Sequence, residues 1–280
     1  MISAQGWDPR ISVNSLSSMS WSLSQDLELY RRLDIRRVSL FLPKLVDAGL
    51  ERAIDEVVGR GISVDAVLPG AAFDLTDESG WPEAREAMAM AIETARRLGA
   101  TTVPTAGGSG RGHIYEWAVD RFARAIEPVA RTARDSGVRV AIEPTRPQFA
   151  HLGFVHTLRD GVALAEQLDL WLMPDTAHLW WEPGLADVMA AGAPRFAVFQ
   201  VADLALTAPV VERLVPGDGE MPIGPLVAAA LAAGFEGPFD IEIIGSAIER
   251  EGYEGALRRS CQHLQGLLEG SSAFSPAPPT

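Results

Sequence analysis

Four apolar runs in the C-terminal half of the chain each carry an oxygen-bearing side chain at or near their ends. Glu143 follows VRVAI (138–142), Asp175 follows LWLMP (170–174), Gln200 lies in FAVFQV (196–201) and Glu242 in FDIEI (239–243). Two glutamates, an aspartate and an amide oxygen form a hard, oxygen-rich donor set. Such a set suits Mn²⁺ or Mg²⁺, with Co²⁺ or Zn²⁺ as further candidates, better than a tetrahedral site built from His and Cys. Gathering these groups in one place without a cation is costly, because like charges repel and burial disfavours the ionised form. His178 follows Asp175 by three residues and adds a side chain that can bind a metal or move a proton. Whether these residues meet depends on the elements that carry them.

Those elements alternate along the whole chain. Apolar, β-branched runs of strand length fall at 10–13, 37–42, 62–68, 101–105, 138–142, 170–174, 196–201 and 239–243. Helical periodicity fills the intervals at 24–33, 47–60, 82–98, 115–136, 157–168, 185–191, 223–233 and 250–268. Gly61, Gly99 and Gly137 follow three of these helices, where a left-handed residue ends a helix at least cost. Eight alternations of this kind predict a parallel sheet covered on both faces and closed into a single (β/α)8 TIM barrel. The barrel domain is expected over 1–269, with the small, proline-rich 270–280 as a disordered tail. In a barrel the C-terminal strand ends converge on one rim, which brings the four donors together.

Composition narrows the function. A net charge of −13 argues against a nucleic-acid partner, which needs clustered Lys and Arg. No apolar run is long enough to span a bilayer, and MISAQGWDPR lacks the basic and apolar regions of a signal peptide. A single cysteine, Cys261, leaves no internal disulfide, so a cytoplasmic enzyme is expected, its oligomeric state open. The glycine-dense loop GGSGRGH (107–113) has neither the dinucleotide nor the phosphate-loop spacing and reads as a flexible lid. Lys44 is the sole lysine, and a lone lysine does not by itself argue for a Schiff-base aldolase.

The segments VAIEP, DTAHLWWEP, FQVAD, VPGDGEMPI and GPFDIEI resemble the sugar isomerase/epimerase family of xylose isomerase-like TIM barrels, the AP endonuclease 2-type superfamily. The resemblance spans essentially the whole chain and is strongest from Val138 to Gly245. It implies one divalent ion on Glu143, Asp175, Gln200 and Glu242. It also implies proton removal and return by Glu143 and Glu242 beside a metal-bound carbonyl, with His178 polarising the substrate. The implied activity is a metal-dependent isomerase or epimerase of a small sugar or polyol ketone. An inosose dehydratase-like enzyme, a 3-oxo-glycoside lyase of C-deglycosidase type, and a non-catalytic sugar-binding barrel are the alternatives. The endonuclease IV-like branch needs many histidines and a basic groove, and this acidic chain has five scattered histidines.

Three departures from the family pattern stand out. Gln200 occupies a position usually held by histidine. The arginine that epimerases place shortly after that ligand is missing, since Leu206 and its neighbours are apolar or small. Arg146 and Gln148 stand where a second glutamate is expected beyond Glu143. Candidates for substrate contact are Arg146 as a clamp, Trp181 as a flat wall, Asp203 as an orienting acid, and His113 through lid closure. The loops after the first four strands, SLSSMSWS, LPKL, PGAAFDL and AGGSGRGH, offer no cluster of arginines, so a neutral sugar is expected rather than a phosphorylated one.

Overall fold

Parallel strands and amphipathic helices alternate through the computed structural model, which describes residues 6–207 and 212–272. The strands are β1 (Ile11–Asn14), β2 (Arg37–Phe41), β3 (Ser63–Leu68), β4 (Thr102–Thr105), β5 (Arg139–Ile142), β6 (Trp171–Leu172), β7 (Phe199–Val201), β8 (Asp203–Leu204), β9 (Arg213–Leu214) and β10 (Phe239–Ile241). The helices are α1 (Leu23–Leu33), α2 (Leu42–Asp47), α3 (Leu50–Gly59), α4 (Trp81–Leu98), α5 (Tyr115–Asp135), α6 (Leu158–Leu168), α7 (Thr176–Leu179), α8 (Leu185–Gly192), α9 (Ile223–Ala232), α10 (Ser246–Glu251) and α11 (Tyr253–Ser272).

Eight strands form one parallel sheet in the order β6-β5-β4-β3-β2-β1-β10-β7. Single bridges between Leu172 and Phe196 and between Asp175 and Gln200 join its two ends. The Ala197 amide donates to Leu172 (2.8 Å) and the Gln200 amide to Pro174 (2.7 Å), so the sheet curls back on itself as a barrel. The eightfold alternation therefore builds the expected (β/α)8 fold. Closure matters for the site because it seats Gln200 directly beside Asp175.

Two apolar layers follow from the pattern. The larger cluster packs strand residues such as Val38, Val103, Val140 and Phe239 against Leu27, Met88, Phe122 and Leu264 of the surrounding helices. A smaller, separate cluster of Ala66, Leu68, Ala141, Met173, Ala197 and Val198 comes from the opposite faces of the strands and fills the barrel interior. Helix starts follow ordinary chemistry: Ser22 and Gln25 form a reciprocal capping box at α1.

Several boundaries differ from the sequence expectation. The helix expected over 47–60 is α3, which starts at Leu50 after Gly49 turns the chain at φ +83°, and an additional short helix, α2, precedes it. The last helix does not end before residue 270: buried Leu264 and Leu268 hold it to the core and it runs on through Ser272. The rest of the expected tail, 273–280, lies outside the described residues. The stretch after β7, read as a long loop, contains the antiparallel pair β8–β9, with Asp203 opposite Leu214 and Leu204 opposite Arg213.

The middle of the glycine loop is tied to its neighbours. Gly108 donates to the Leu152 carbonyl (3.1 Å) and Ser109 to that of Phe73 (3.1 Å), while Leu75 donates back to Ser109 (3.1 Å). Gly108 has φ +90°, and a Cβ there would lie 2.5 Å from the Phe73 oxygen. Gly108 thus permits close backbone packing against the loop that carries Phe73.

Candidate active site and cation cage

The C-terminal ends of β5, β6, β7 and β10 supply the site. Glu143 extends β5 by one residue, its amide donating to Thr105 (2.9 Å). Past β6, Asp175 caps α7: one carboxylate oxygen accepts from the Ala177 amide (2.8 Å), leaving Oδ2 directed elsewhere. That one short turn carries His178 back toward its own cap, so its Nε2 lies 3.8 Å from Asp175 Oδ2 and 3.5 Å from Glu143 Oε1. Glu143, Asp175 and His178 offer ligand atoms within 4.8 Å of one another. Gln200 donates its amide N–H to Glu242, which also accepts from Asn14 Nδ2 (3.0 Å). The four donors and His178 thus meet at one rim.

The site also holds a residue that sequence reasoning missed. Arg213, on β9, pairs its guanidinium with Asp175 (2.6 Å) and with Glu242, lies 3.8 Å from Glu143, and contacts His178 Nε2 (3.2 Å). An arginine is therefore present after the strand-seven ligand, contrary to the sequence expectation. It stands thirteen residues beyond Gln200 and reaches the cage only because the β8–β9 pair folds back. The sole advance signal was a lone basic residue in the segment VVERLVPGDG. Asn14 was missed as well, although it ends β1 just as the other donors end their strands.

Burial governs the electrostatics. Glu143 is pushed well above the usual carboxylate range, first by desolvation and then by repulsion from Glu242. Glu242 is raised by desolvation, against the pull of Arg213. Asp240, whose carboxylate shares Asn14 with Glu242, is raised to about 8 by burial and by that neighbour. Burial also lowers His178 to about 3, which keeps its ring neutral at ordinary pH. For Arg213 desolvation works against the cation, but Asp175, Glu242 and Glu143 together outweigh it and raise its pKa.

The donor set fits a divalent cation. Gln200 Oε1 is buried and has no hydrogen-bond partner among the described residues, and the Oδ2 of Asp175 meets Arg213 as an ion pair without hydrogen-bond geometry. An amide oxygen so placed is an unused hard donor, and two glutamates and an aspartate supply the charge.

The remaining candidates divide. Arg146 is 5 % exposed, stands over the Phe149 ring (4.9 Å), and has an unpaired Nε. Phe149 in turn touches the edge of His178 (5.3 Å), so Arg146 flanks the cage. Asp203 is buried beneath the rim with its carboxylate taken up by the amides of Leu204, Gly217, Gly219 and Met221. It holds the loop that follows β9 and leaves little for a substrate. Trp181 is 37 % exposed and meets only Trp180, edge to face, among its ring contacts. His113 is exposed and stacked on Trp117 (3.7 Å). Among the described residues, neither has a ring contact with a cage residue. Glu182 has a separate task, accepting from the Leu158 and Arg159 amides at the start of α6.

Comparison with known proteins agrees with this frame. The family described as xylose isomerase-like TIM barrel matches residues 27–266. No curated protein matches the chain. Among solved structures, the IolI protein with a bound zinc atom is 18 % identical, with a TM-score of 0.82 over 95 % of this chain and 100 % of that one. A xylose isomerase domain protein from Alicyclobacillus acidocaldarius is 22 % identical, with a TM-score of 0.79 over 94 % and 99 %. D-psicose 3-epimerase from Clostridium cellulolyticum H10, solved with D-tagatose, is 18 % identical, with a TM-score of 0.71 over 94 % and 98 %. No helix among the described residues is long and apolar enough to cross a membrane.

Proposed function

The chain belongs to the xylose isomerase-like TIM barrel family, and from that premise we propose that it is a divalent-metal-dependent isomerase or epimerase of a small, unphosphorylated sugar or polyol ketone. The observation that carries this reading is the arc of Glu143, Asp175, Gln200 and Glu242, with a glutamate at each end. Glu143 and Glu242 come from β5 and β10, and β6 and β7 lie between them around the barrel. A substrate bound across that arc has a carboxylate toward either face.

Held by Glu143, Asp175, Gln200 and Glu242, a divalent ion supplies positive charge that polarises the carbonyl and hydroxyl oxygens of a bound ketone. Glu143 is the cage carboxylate with an open edge, its side chain 18 % exposed, and it meets an incoming C–H first. One glutamate takes the proton beside the carbonyl and the other returns it, to the opposite face for epimerisation or to the neighbouring carbon for isomerisation. His178 is neutral and wedged against Phe149, so it orients an oxygen rather than adding charge. Arg146, stacked on Phe149 beside His178, adds a positive charge at the flank of the cage.

Proton NMR of unphosphorylated ketoses, inososes and 3-oxo glycosides with the protein and added Mn²⁺ tests the proposal. An epimer or aldose appearing only with metal supports it. Elimination products alone replace isomerase by dehydratase or lyase, turnover of sugar phosphates alone overturns the substrate class, and binding without turnover makes the barrel a sugar-binding protein.

A further inference from the structure

Arg213 creates a problem for the reading above, and the inference here rests on that reading. The guanidinium occupies the middle of the donor set, between Asp175 Oδ2 (2.6 Å) and Glu242 Oε1, with His178 on the same edge. It is seated as carefully as a structural side chain. Its own amide donates to the Ile244 carbonyl (3.1 Å), Nη1 also points at the Glu242 carbonyl (3.3 Å), and only 11 % of the side chain is exposed. A divalent ion that takes Asp175 Oδ2 and Glu242 Oε1 as ligands needs the atoms this arginine holds. The two cations exclude each other.

We propose that Arg213 is the resident counter-cation of the cage and that a divalent ion binds by displacing it from between Asp175 and Glu242. Two features support exchange over permanent replacement. Gln200 Oε1 has no partner among the described residues while Arg213 is seated, so the arginine leaves a hard donor unused. One guanidinium also balances only part of the charge of Glu143, Asp175 and Glu242, which a divalent ion balances better. The consequence is a cage kept neutral enough to fold without metal, and a metal affinity lowered by the fraction of molecules in which Arg213 has left. The displaced guanidinium stays tethered to β9 at the rim, where it becomes a donor to a substrate oxygen.

The test is Mn²⁺ binding to the full chain, measured by calorimetry, for the wild type and for Arg213→Met. Removing the competitor tightens binding by about tenfold or more, the factor expected if Arg213 is out of the cage in about one molecule in ten. Arg213→Lys, which keeps the charge but does not bridge two carboxylates, falls between. In the wild type, ¹⁵N-arginine NMR supplies a readout that survives if the variants fold poorly. The Arg213 guanidinium protons are protected from solvent exchange without metal and lose that protection when Mg²⁺ is added. Mn²⁺ binding that is equal or weaker in Arg213→Met, with guanidinium protection unchanged by Mg²⁺, overturns the displacement while leaving a metal enzyme standing. Failure of both proteins to bind Mn²⁺ overturns the displacement and the metal reading together. Binding by Arg213→Met alone upholds the arginine as the cage's cation and overturns metal dependence of the wild type.

Discussion

Replacing Lys44 by methionine should cost much of the protein's stability, and should cost less in acid. Lys44 Nζ donates to the Ser15 carbonyl (2.9 Å), the Ser18 carbonyl (2.8 Å) and Asp26 Oδ2 (2.7 Å), all beneath the turn that follows β1. This network also answers the Schiff-base question, since the ammonium is 7 % exposed and fully engaged. Methionine keeps the volume but leaves Asp26, wholly buried, with Ser18 Oγ (2.6 Å) as its remaining side-chain partner. Breaking a buried pair from one side costs about 3–5 kcal/mol. Burial already holds Asp26 up at about 6 despite Lys44, and without the lysine its pKa rises further. A carboxyl whose folded pKa lies above its unfolded value of 3.8 contributes stability below 3.8 and loses it as pH rises through the folded value. The deficit of Lys44→Met is therefore largest near pH 8 and falls by about half near pH 5. Urea unfolding at the two pH values measures it, and Lys44→Met with Asp26→Leu should recover most of the loss. A deficit below about 1 kcal/mol at pH 8, or one equal at both pH values, refutes the reasoning.

Three smaller perturbations follow from the same structure. Glu182→Ala removes the carboxylate that accepts from the Leu158 amide (2.6 Å) and the Arg159 amide (3.0 Å), and urea unfolding should register a loss of about 2 kcal/mol. Asp203→Ala leaves the amides of Gly217, Gly219 and Met221 without their acceptor; stability should fall by about 2–4 kcal/mol, and any activity with it, because β9 carries Arg213. Gly108→Ala places a Cβ 2.5 Å from the Phe73 oxygen at φ +90°, and its melting temperature should drop by several degrees, whereas Gly99→Ala, with open space around it, should lose less.

The barrel was legible because its signal is local and repeated. Each strand is an apolar run, each helix an amphipathic one, and Gly61, Gly99 and Gly137 mark ends that a periodicity scan finds unaided. The donors Glu143, Asp175, Gln200 and Glu242 were legible for a related reason, since a polar residue closing a buried strand has few places to point except the rim. What escaped detection depends on contacts between distant residues. Arg213 meets Asp175 and His178 only through two-residue strands, too short to leave a period in the sequence. Asp203 looked like a site acid because it follows Gln200 closely, but the amides that claim it come from 217–221. Trp181 followed from proximity to His178, and neighbours in sequence after a single helical turn need not share a face. Glycine density in 107–113 pointed to a lid, and it gave no sign of the packing role of Gly108, which admits the Phe73 oxygen at close range.

The central claim is proton transfer between solvent-exchangeable carboxyls and a carbon beside a carbonyl, and deuterium tests it most directly. A ketose turned over by the protein with Mn²⁺ in D₂O, followed by proton NMR, should take up deuterium at the carbon next to its carbonyl. Glu143→Gln and Glu242→Gln should each lower that exchange by about 10²–10⁴-fold, the usual worth of a positioned acid or base. Product formed without any solvent deuterium, or exchange undiminished in both glutamine variants, would contradict the account.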